Sequence, residues 1–283
     1  MTNLSNIKTV KNILEKHGFK FSKSLGQNFI VNDTVCPKMA ENCGKSDEAG
    51  VLEIGAGIGV LTTELAKKYK KVVSVEIDKN LIPILQETTS DYENIKIIND
   101  DILKIDLEEL IKSEFSDCDE VCVCANLPYY ITSEILMYIL ESGADVRSIT
   151  VMVQKEAAER ICAEPGTRNS GAISLAVRFY GIPKILFNVG RGSFIPQPNV
   201  DSTVIKIEVD HSLRDKVKNK NNYFKVIKAA YGKRRKNILN SLSMGLSISK
   251  KEIENILEKV NVPPTKRAEQ LRFDDFVSIS NEI

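Results

Sequence analysis

Apolar residues along this chain fall into short runs of two kinds. Largely continuous stretches at 51–54, 72–76, 95–98, 121–125 and 149–153 read as strands covered on both faces. Between and around them, residues 7–17, 60–69, 79–89 and 133–141 space their apolar positions as helices do. Strands alternating with helices predict an α/β fold with a mostly parallel sheet wound on both faces. The alternation then lapses. Residues 185–189 and 203–207 are strand-like with no helix-length segment between them, which predicts a terminal antiparallel hairpin. From Ser212 onward only helical patterns remain, over 223–230, 234–242 and 250–260, interrupted by Asn261-Val262-Pro263-Pro264. The expected organisation is an α/β domain over residues 1–211 followed by a small all-helical domain over 212–283.

A chain of 283 residues, 42% hydrophobic and 27% charged, suffices for one large or two smaller soluble domains. Nothing approaches a membrane span, and the polar, lysine-bearing first 23 residues lack the apolar core of a secretory signal. A cytoplasmic protein with no membrane partner is expected. The cysteines, Cys36, Cys43, Cys118, Cys122, Cys124 and Cys162, include no C-x-x-C pair and read as small core residues in a reducing compartment. Only His17 and His211 occur, neither at ligand spacing to a cysteine pair, so no metal site is expected and a Ser-His-Asp hydrolase is disfavoured.

The net charge of +1 hides an uneven distribution. Residues 212–283 hold 16 Lys and Arg against 8 Asp and Glu, a net of +8, which leaves −7 for residues 1–211. A basic appendage on a mildly acidic body suits a polyanion approached from one side. Within it, Lys233-Arg234-Arg235-Lys236 opens the helix expected at 234–242. Four adjacent cations repel one another unless an anion such as a phosphate backbone neutralises them, which makes these residues candidates for RNA binding.

Candidate chemistry gathers at the strand ends. Gly55-Ala56-Gly57-Ile58-Gly59 comes after the first strand of the alternation and would let a ligand approach the main chain. Val60 stands where a dinucleotide fingerprint needs its third spaced glycine, so on this turn alone a nicotinamide dehydrogenase and a purely structural turn both stay open. Glu76 is placed to bind a ribose diol and Asp101 an adenine amine. The fourth strand ends in Asn126-Leu127-Pro128-Tyr129. An exocyclic adenine amine is a poor nucleophile, because its lone pair is delocalised into the ring. The Asn126 side-chain oxygen and a main-chain carbonyl at the Leu127–Pro128 step, assigned to the Pro128 backbone, can accept its two protons and aim the lone pair at a methyl donor, with Tyr129 stacked on the base. The plain alternative is a strand ending in an Asn-x-Pro turn, which Tyr130 merely continues. Lys155, Glu156, Glu159 and Arg160 read as a solvated helix start.

Four segments occur in order: Lys23-Ser24-Leu25-Gly26-Gln27-Asn28-Phe29-Ile30, the turn over 53–59, Asn126-Leu127-Pro128-Tyr129, and Ser193-Phe194-Ile195-Pro196-Gln197-Pro198-Asn199-Val200-Asp201-Ser202. Together they resemble the motifs of the ribosomal RNA adenine N6-dimethyltransferases, above all the 16S-directed branch, from about Phe21 to Ser202 and more loosely over 231–242. The resemblance implies a Rossmann-like class I methyltransferase that uses S-adenosyl-L-methionine and no metal. It implies action on two adjacent adenosines in the 3′-terminal hairpin of 16S rRNA, within the small subunit or its precursor; no motif requires a second copy, and a monomer is expected. By the same resemblance, Gln27, Asn28 and the main chain around Ile30 close over the methionine end of the donor and Gly55 and Gly57 lie beneath it. Glu76 takes the ribose, Asp101 the adenine, and Asn126 serves donor and target alike. Phe194, in a loop stiffened by Pro196 and Pro198, stacks on the extruded adenine opposite Tyr129. Ile30 stands where the family usually has Leu, and Asn199 where it often has a basic residue. Three alternatives remain: a 23S-directed sister enzyme conferring macrolide resistance, a DNA adenine methyltransferase, which usually carries Pro-Pro-Tyr, and an RNA-binding ribosome assembly factor.

Overall fold

In the computed structural model, which describes residues 4–22, 25–210, 212–233 and 235–283, the apolar runs form the strands expected of them. The chain opens with α1 (Ile7–Lys16), β1 (Phe29–Ile30) and α2 (Val35–Cys43), and continues through β2 (Gly50–Ile54), α3 (Val60–Ala66), β3 (Lys71–Val75), α4 (Ile82–Thr89) and β4 (Ile95–Ile98). Next come α5 (Leu107–Glu114), β5 (Val121–Asn126), α6 (Thr132–Glu141), β6 (Ser148–Gln154), α7 (Lys155–Ile161), α8 (Ala172–Tyr180), β7 (Gly181–Val189), β8 (Phe194–Ile195) and β9 (Ser202–Val209). The remainder is helical: α9 (Lys220–Tyr231), α10 (Ile238–Leu246), α11 (Lys250–Lys259) and α12 (Phe273–Ser280).

Seven strands of the described residues form one sheet in the order β4-β3-β2-β5-β6-β9-β7. The first five run parallel, and β9 is antiparallel to β6. Thr203 reaches Asn188 at 2.8 Å while Lys184 reaches Glu208 at 3.3 Å, so β7 and β9 run in opposite directions, as the expected hairpin requires. Every residue of β2 and the first five of β5 are buried, which is why these strands read as unbroken apolar runs rather than alternations. A separate two-stranded ribbon pairs β1 with β8, setting Phe29 opposite Ile195 and Ile30 opposite Phe194.

Three helices within residues 1–211 escaped the pattern reading: α2, α5 and α8. In α2 a proline sits in the first turn, where its missing N–H costs little, and Cys36, Met39, Ala40 and Cys43 make one buried face. In α5 the Asp106 carboxylate accepts the Glu109 N–H at 3.1 Å and caps the helix, which buries only Leu107 and Ile111. Cys36, Cys43, Cys122 and Cys124 are buried as expected, and burial pushes the Cys36 and Cys43 thiols up; Cys118 and Cys162 are only half-buried.

Contacts divide the chain into two compact units, Met1–Ala158 with Lys184–Val209, and Glu159–Pro183 with Asp210–Ile283. The second unit takes in α8 because Phe179 stacks on Tyr223 of α9, with ring centroids 5.3 Å apart, and the Tyr223 hydroxyl donates to the Leu175 carbonyl. Within this unit α10 begins at Ile238, later than the expected 234. Asn237 is its cap, accepting the Asn240 N–H at 3.0 Å, and Lys233, Arg235 and Lys236 are exposed in the turn ahead of it. Cations stacked in a first helical turn oppose the helix dipole, and an Asn cap offers the stronger start signal. Arg234 lies outside the described residues, as do Lys23, Ser24 and His211.

Candidate active site

The pairing β4-β3-β2-β5 fixes the order of the residues at the strand ends. Asp101, Glu76, the glycine turn and Asn126 therefore stand in sequence along one carboxyl edge, at the point where connections leave β2 in both directions and a crevice opens. Gly55, Gly57 and Gly59 have φ of +76°, +60° and +86°, a left-handed path that side chains disfavour. A Cβ on Gly55 would have only the Asn126 carbonyl near it, at 3.9 Å, so the space above that glycine is open. A Cβ on Gly57 would stand 3.3 Å from the Phe29 ring.

The Glu76 carboxylate accepts the Gly57 N–H on Oε2 and the Asp78 N–H on Oε1, both at 2.8 Å. Burial pushes this carboxyl up, and the main-chain donors hold it against that. Each oxygen keeps a second lone pair for a ligand hydroxyl. Next to it Ile77 is 51% exposed, an apolar side chain at the strand end that the residue pattern did not single out. Asp101 is half-buried; its Oδ1 accepts the Leu103 N–H at 3.1 Å, and Lys104 lies 3.7 Å from its Oδ2.

Over the glycine turn lies the segment ending in β1, whose Phe29 ring meets Phe21 and Phe19 with centroids 5.4 and 6.0 Å away. The Gln27 side chain, expected at the donor, is tied instead within the protein. Its Nε2 donates to Asp78 at 2.7 Å and its Oε1 accepts the Ser22 N–H at 2.8 Å. Asp78 is thus a buried anchor that a separation of 51 positions kept out of view. The Asn28 side chain donates to the Gly26 carbonyl at 2.9 Å, and its own carbonyl receives the Asn126 Nδ2 at 3.1 Å. Ile30 is buried, and its neighbour Val31 donates to the Ser193 carbonyl at 2.8 Å, which continues the ribbon.

That last contact of Asn126 orients the tetrad. With the amide nitrogen anchored on a carbonyl, the amide oxygen is the atom left to accept a proton from elsewhere. The Pro128 carbonyl, expected as the second acceptor, is already engaged by the Ile131 N–H at 3.2 Å and the Thr132 hydroxyl at 3.0 Å. The Leu127 carbonyl accepts none among the described residues, which makes it the free acceptor of the turn. Leu127 itself buries its side chain, 1% exposed, and its N–H donates to Met152. Tyr129 is half-buried, and its hydroxyl is 2.7 Å from Ser202 Oγ, at the far end of the Phe194 loop. Phe194 differs from expectation: at 2% exposure it packs in the core cluster with Phe29 and Ile30 and offers no ring face to the crevice. An aromatic at the start of a strand that pairs with β1 is drawn into the core by the same ribbon that brings it near the site.

Beneath the turn, Glu53 is 1% exposed. Its Oε2 accepts the Thr62 and Ser74 hydroxyls, each at 2.6 Å, and its Oε1 has no partner among the described residues. Burial, with the Glu76 charge adding to it, raises its carboxyl to about 7 against the lowering effect of the two hydroxyls. A polar depression lined by Asp33, Thr63, Glu64, Lys67, Asp91 and Tyr92 lies beside α3 and α4 and shares no residue with the crevice.

A family model described as ribosomal RNA adenine dimethylase matches residues 18–283. The chain is 44% identical to a ribosomal RNA small subunit methyltransferase A of Clostridioides difficile strain 630, over 100% of this chain and 98% of that one. It is 43% identical to the protein of the same name from Geobacillus sp. strain WCH70, over 96% and 95%. A crystal structure of a dimethyladenosine transferase from Plasmodium falciparum superposes with a TM-score of 0.73 at 25% identity, covering 89% of this chain and 95% of that one. The 23S rRNA methyltransferase ErmE shares the fold with a TM-score of 0.67 at 23% identity, covering 90% and 98%.

Proposed function

Because the chain belongs to the ribosomal RNA adenine dimethylase family, we propose that it methylates the N6 amines of two adjacent adenosines in the 3′-terminal hairpin of 16S rRNA. The product is N6,N6-dimethyladenosine, made within small-subunit particles or their precursors, in the cytoplasm, by a single chain. The observation that carries this reading is the amide of Asn126, whose nitrogen is bound by the Asn28 carbonyl and whose oxygen accepts no bond among the described residues.

The residues fit S-adenosyl-L-methionine. Open space lies above Gly55, Glu76 keeps lone pairs for the ribose, Ile77 offers an apolar surface to the adenine and Asp101 an acceptor to its amine. The main chain of residues 27–30 would cover the methionine end. When bound, the donor supplies an electrophilic methyl group on a sulfonium. The protein does the rest: the Asn126 oxygen and the Leu127 carbonyl accept hydrogen bonds from the two amine N–H groups, concentrate the nitrogen lone pair and direct it, and the proton that becomes acidic once the nitrogen is methylated leaves to water. Each such bond contributes roughly 0.5–1.5 kcal/mol, so their value lies in direction more than affinity. Tyr129 stacks on the base, returning roughly 1–3 kcal/mol of the few that extrusion costs. Phe194 adds a second face only if β8 parts from β1. A singly methylated amine keeps one N–H, so a second transfer needs no new group.

The test is transfer of labelled methyl to purified 30S particles lacking the modification, with free 23S RNA alongside and nucleoside analysis of both. Dimethyladenosine in the 30S sample alone supports the reading. Label in 23S RNA would replace it with the resistance-type activity, and label in neither would leave a binding role in ribosome assembly.

A further inference from the structure

We propose that Tyr130 is the stacking platform for the base that neighbours the extruded adenosine, a contact that selects RNA rather than activating the amine. The inference rests on the proposed methylation of adjacent adenosines. Tyr130 comes directly after the tetrad and is 64% exposed, more than any other exposed large hydrophobic side chain among the described residues. Among the described residues its ring pairs with no other ring, whereas Phe19, Phe21 and Phe29 pair with one another. Its hydroxyl has no hydrogen-bond partner among them either, in contrast to Tyr129, whose hydroxyl is held by Ser202.

One edge of the ring is fixed. A Cβ on Gly26 would lie 3.2 Å from Tyr130 Cε1, 3.3 Å from Cδ1 and 3.7 Å from Pro128 Cβ, so the ring rests on a glycine with no side chain to cover it. Gly26 has φ of +61°, which further favours glycine there. The arrangement holds one edge of the ring on the protein and leaves most of the side chain to solvent. Extruding an adenine strips its neighbour of a stacking partner, and an exposed aromatic next to the extrusion point supplies a replacement. Two adjacent target adenosines make that neighbour a purine in either register, the base type with the larger face.

Steady-state kinetics on 30S particles, with donor affinity measured separately by calorimetry, test the assignment. Tyr130→Ala should raise KM for the particle roughly tenfold, the scale of one lost base–aromatic stack, while donor Kd stays within about twofold and kcat falls less than KM rises. Tyr130→Phe, which keeps the ring, should restore KM. An unchanged KM in Tyr130→Ala, with the unsubstituted chain active, would overturn the proposal alone. So would a KM loss matched by an equal loss of donor affinity, which would make the ring a clasp on Gly26, or a KM rise in Tyr130→Phe as large as in Tyr130→Ala. No transfer by the unsubstituted chain would remove the functional reading, and this proposal with it.

Discussion

Asn126→Ala deletes the amide that the Asn28 carbonyl positions, and with it the oxygen proposed to accept an amine proton. The expected outcome is a fall in kcat of about 100-fold or more, the scale for one preorganised polar group at a reacting centre, with particle binding retained in a filter assay. Asn126→Asp should not rescue it, because either carboxylate oxygen would meet the Asn28 carbonyl. Glu53 carries a second prediction. Its carboxyl sits at about 7 in the folded chain and in the ordinary carboxylate range when unfolded, so in between the folded state holds a proton that unfolding releases. Stability therefore drops as pH rises through that window and levels off above 7, by about 3 kcal/mol from this group. In Glu53→Gln that component should vanish; denaturant midpoints at pH 5 and pH 8 should converge relative to the parent, and an unchanged difference would count against the buried proton. At this scale Asn126, Glu76 and the glycines were legible, since strand ends announce them. Asp78 and the occupied Pro128 carbonyl were not, because each role depends on a partner or a turn geometry that no local pattern encodes.

Between α9 and α10 the approach is set by Gly245, where an added Cβ would come within 2.5 Å of the Ala229 Cβ and 2.7 Å of its Cα. Backbone cannot yield as a flexible side chain can, so Gly245→Ala should destabilise the chain by roughly 1–3 kcal/mol in denaturant unfolding. At the crevice, Gly57→Ala combines a left-handed φ with a methyl 3.3 Å from Phe29, and should lower stability by roughly 1–3 kcal/mol while weakening donor binding in the chain that remains folded. Calorimetric titration with S-adenosyl-L-methionine reads the difference. Elements with strong periodicity, such as β2, α3 and β5, were legible from the chain. The β1–β8 ribbon was not: two residues a strand carry no period, and what specifies them is the pairing of Phe29 with Ile195 across the fold. The late start of α10 has the same lesson in reverse, since the apolar spacing persists through 238–246 but the cap at Asn237 decides where the helix begins.

The whole molecule carries its positive excess on residues 212–283. If Lys233, Arg235 and Lys236 meet phosphates, replacing all three by Ala should lower the slope of log affinity for RNA against log salt by roughly 2–3; an unchanged slope would assign them to solvent. The charge imbalance was visible in composition, and the helical patterns from Ser212 onward suggested a division at 211, whereas the membership of 159–183 in the helical unit depends on Phe179 finding Tyr223. One bond ties distant stretches in a different manner. The contact from Asn126 to residue 28 spans 98 positions, and its acceptor is a peptide carbonyl. Every amino acid has one, so no replacement at position 28 removes the acceptor itself; only a change in the path of the chain can take it out of reach. The side-chain bond from Asn28 to Gly26 bears on the grip of Asn126 only through the path it gives the chain, so the residue type at position 28 acts at one remove from the contact it provides.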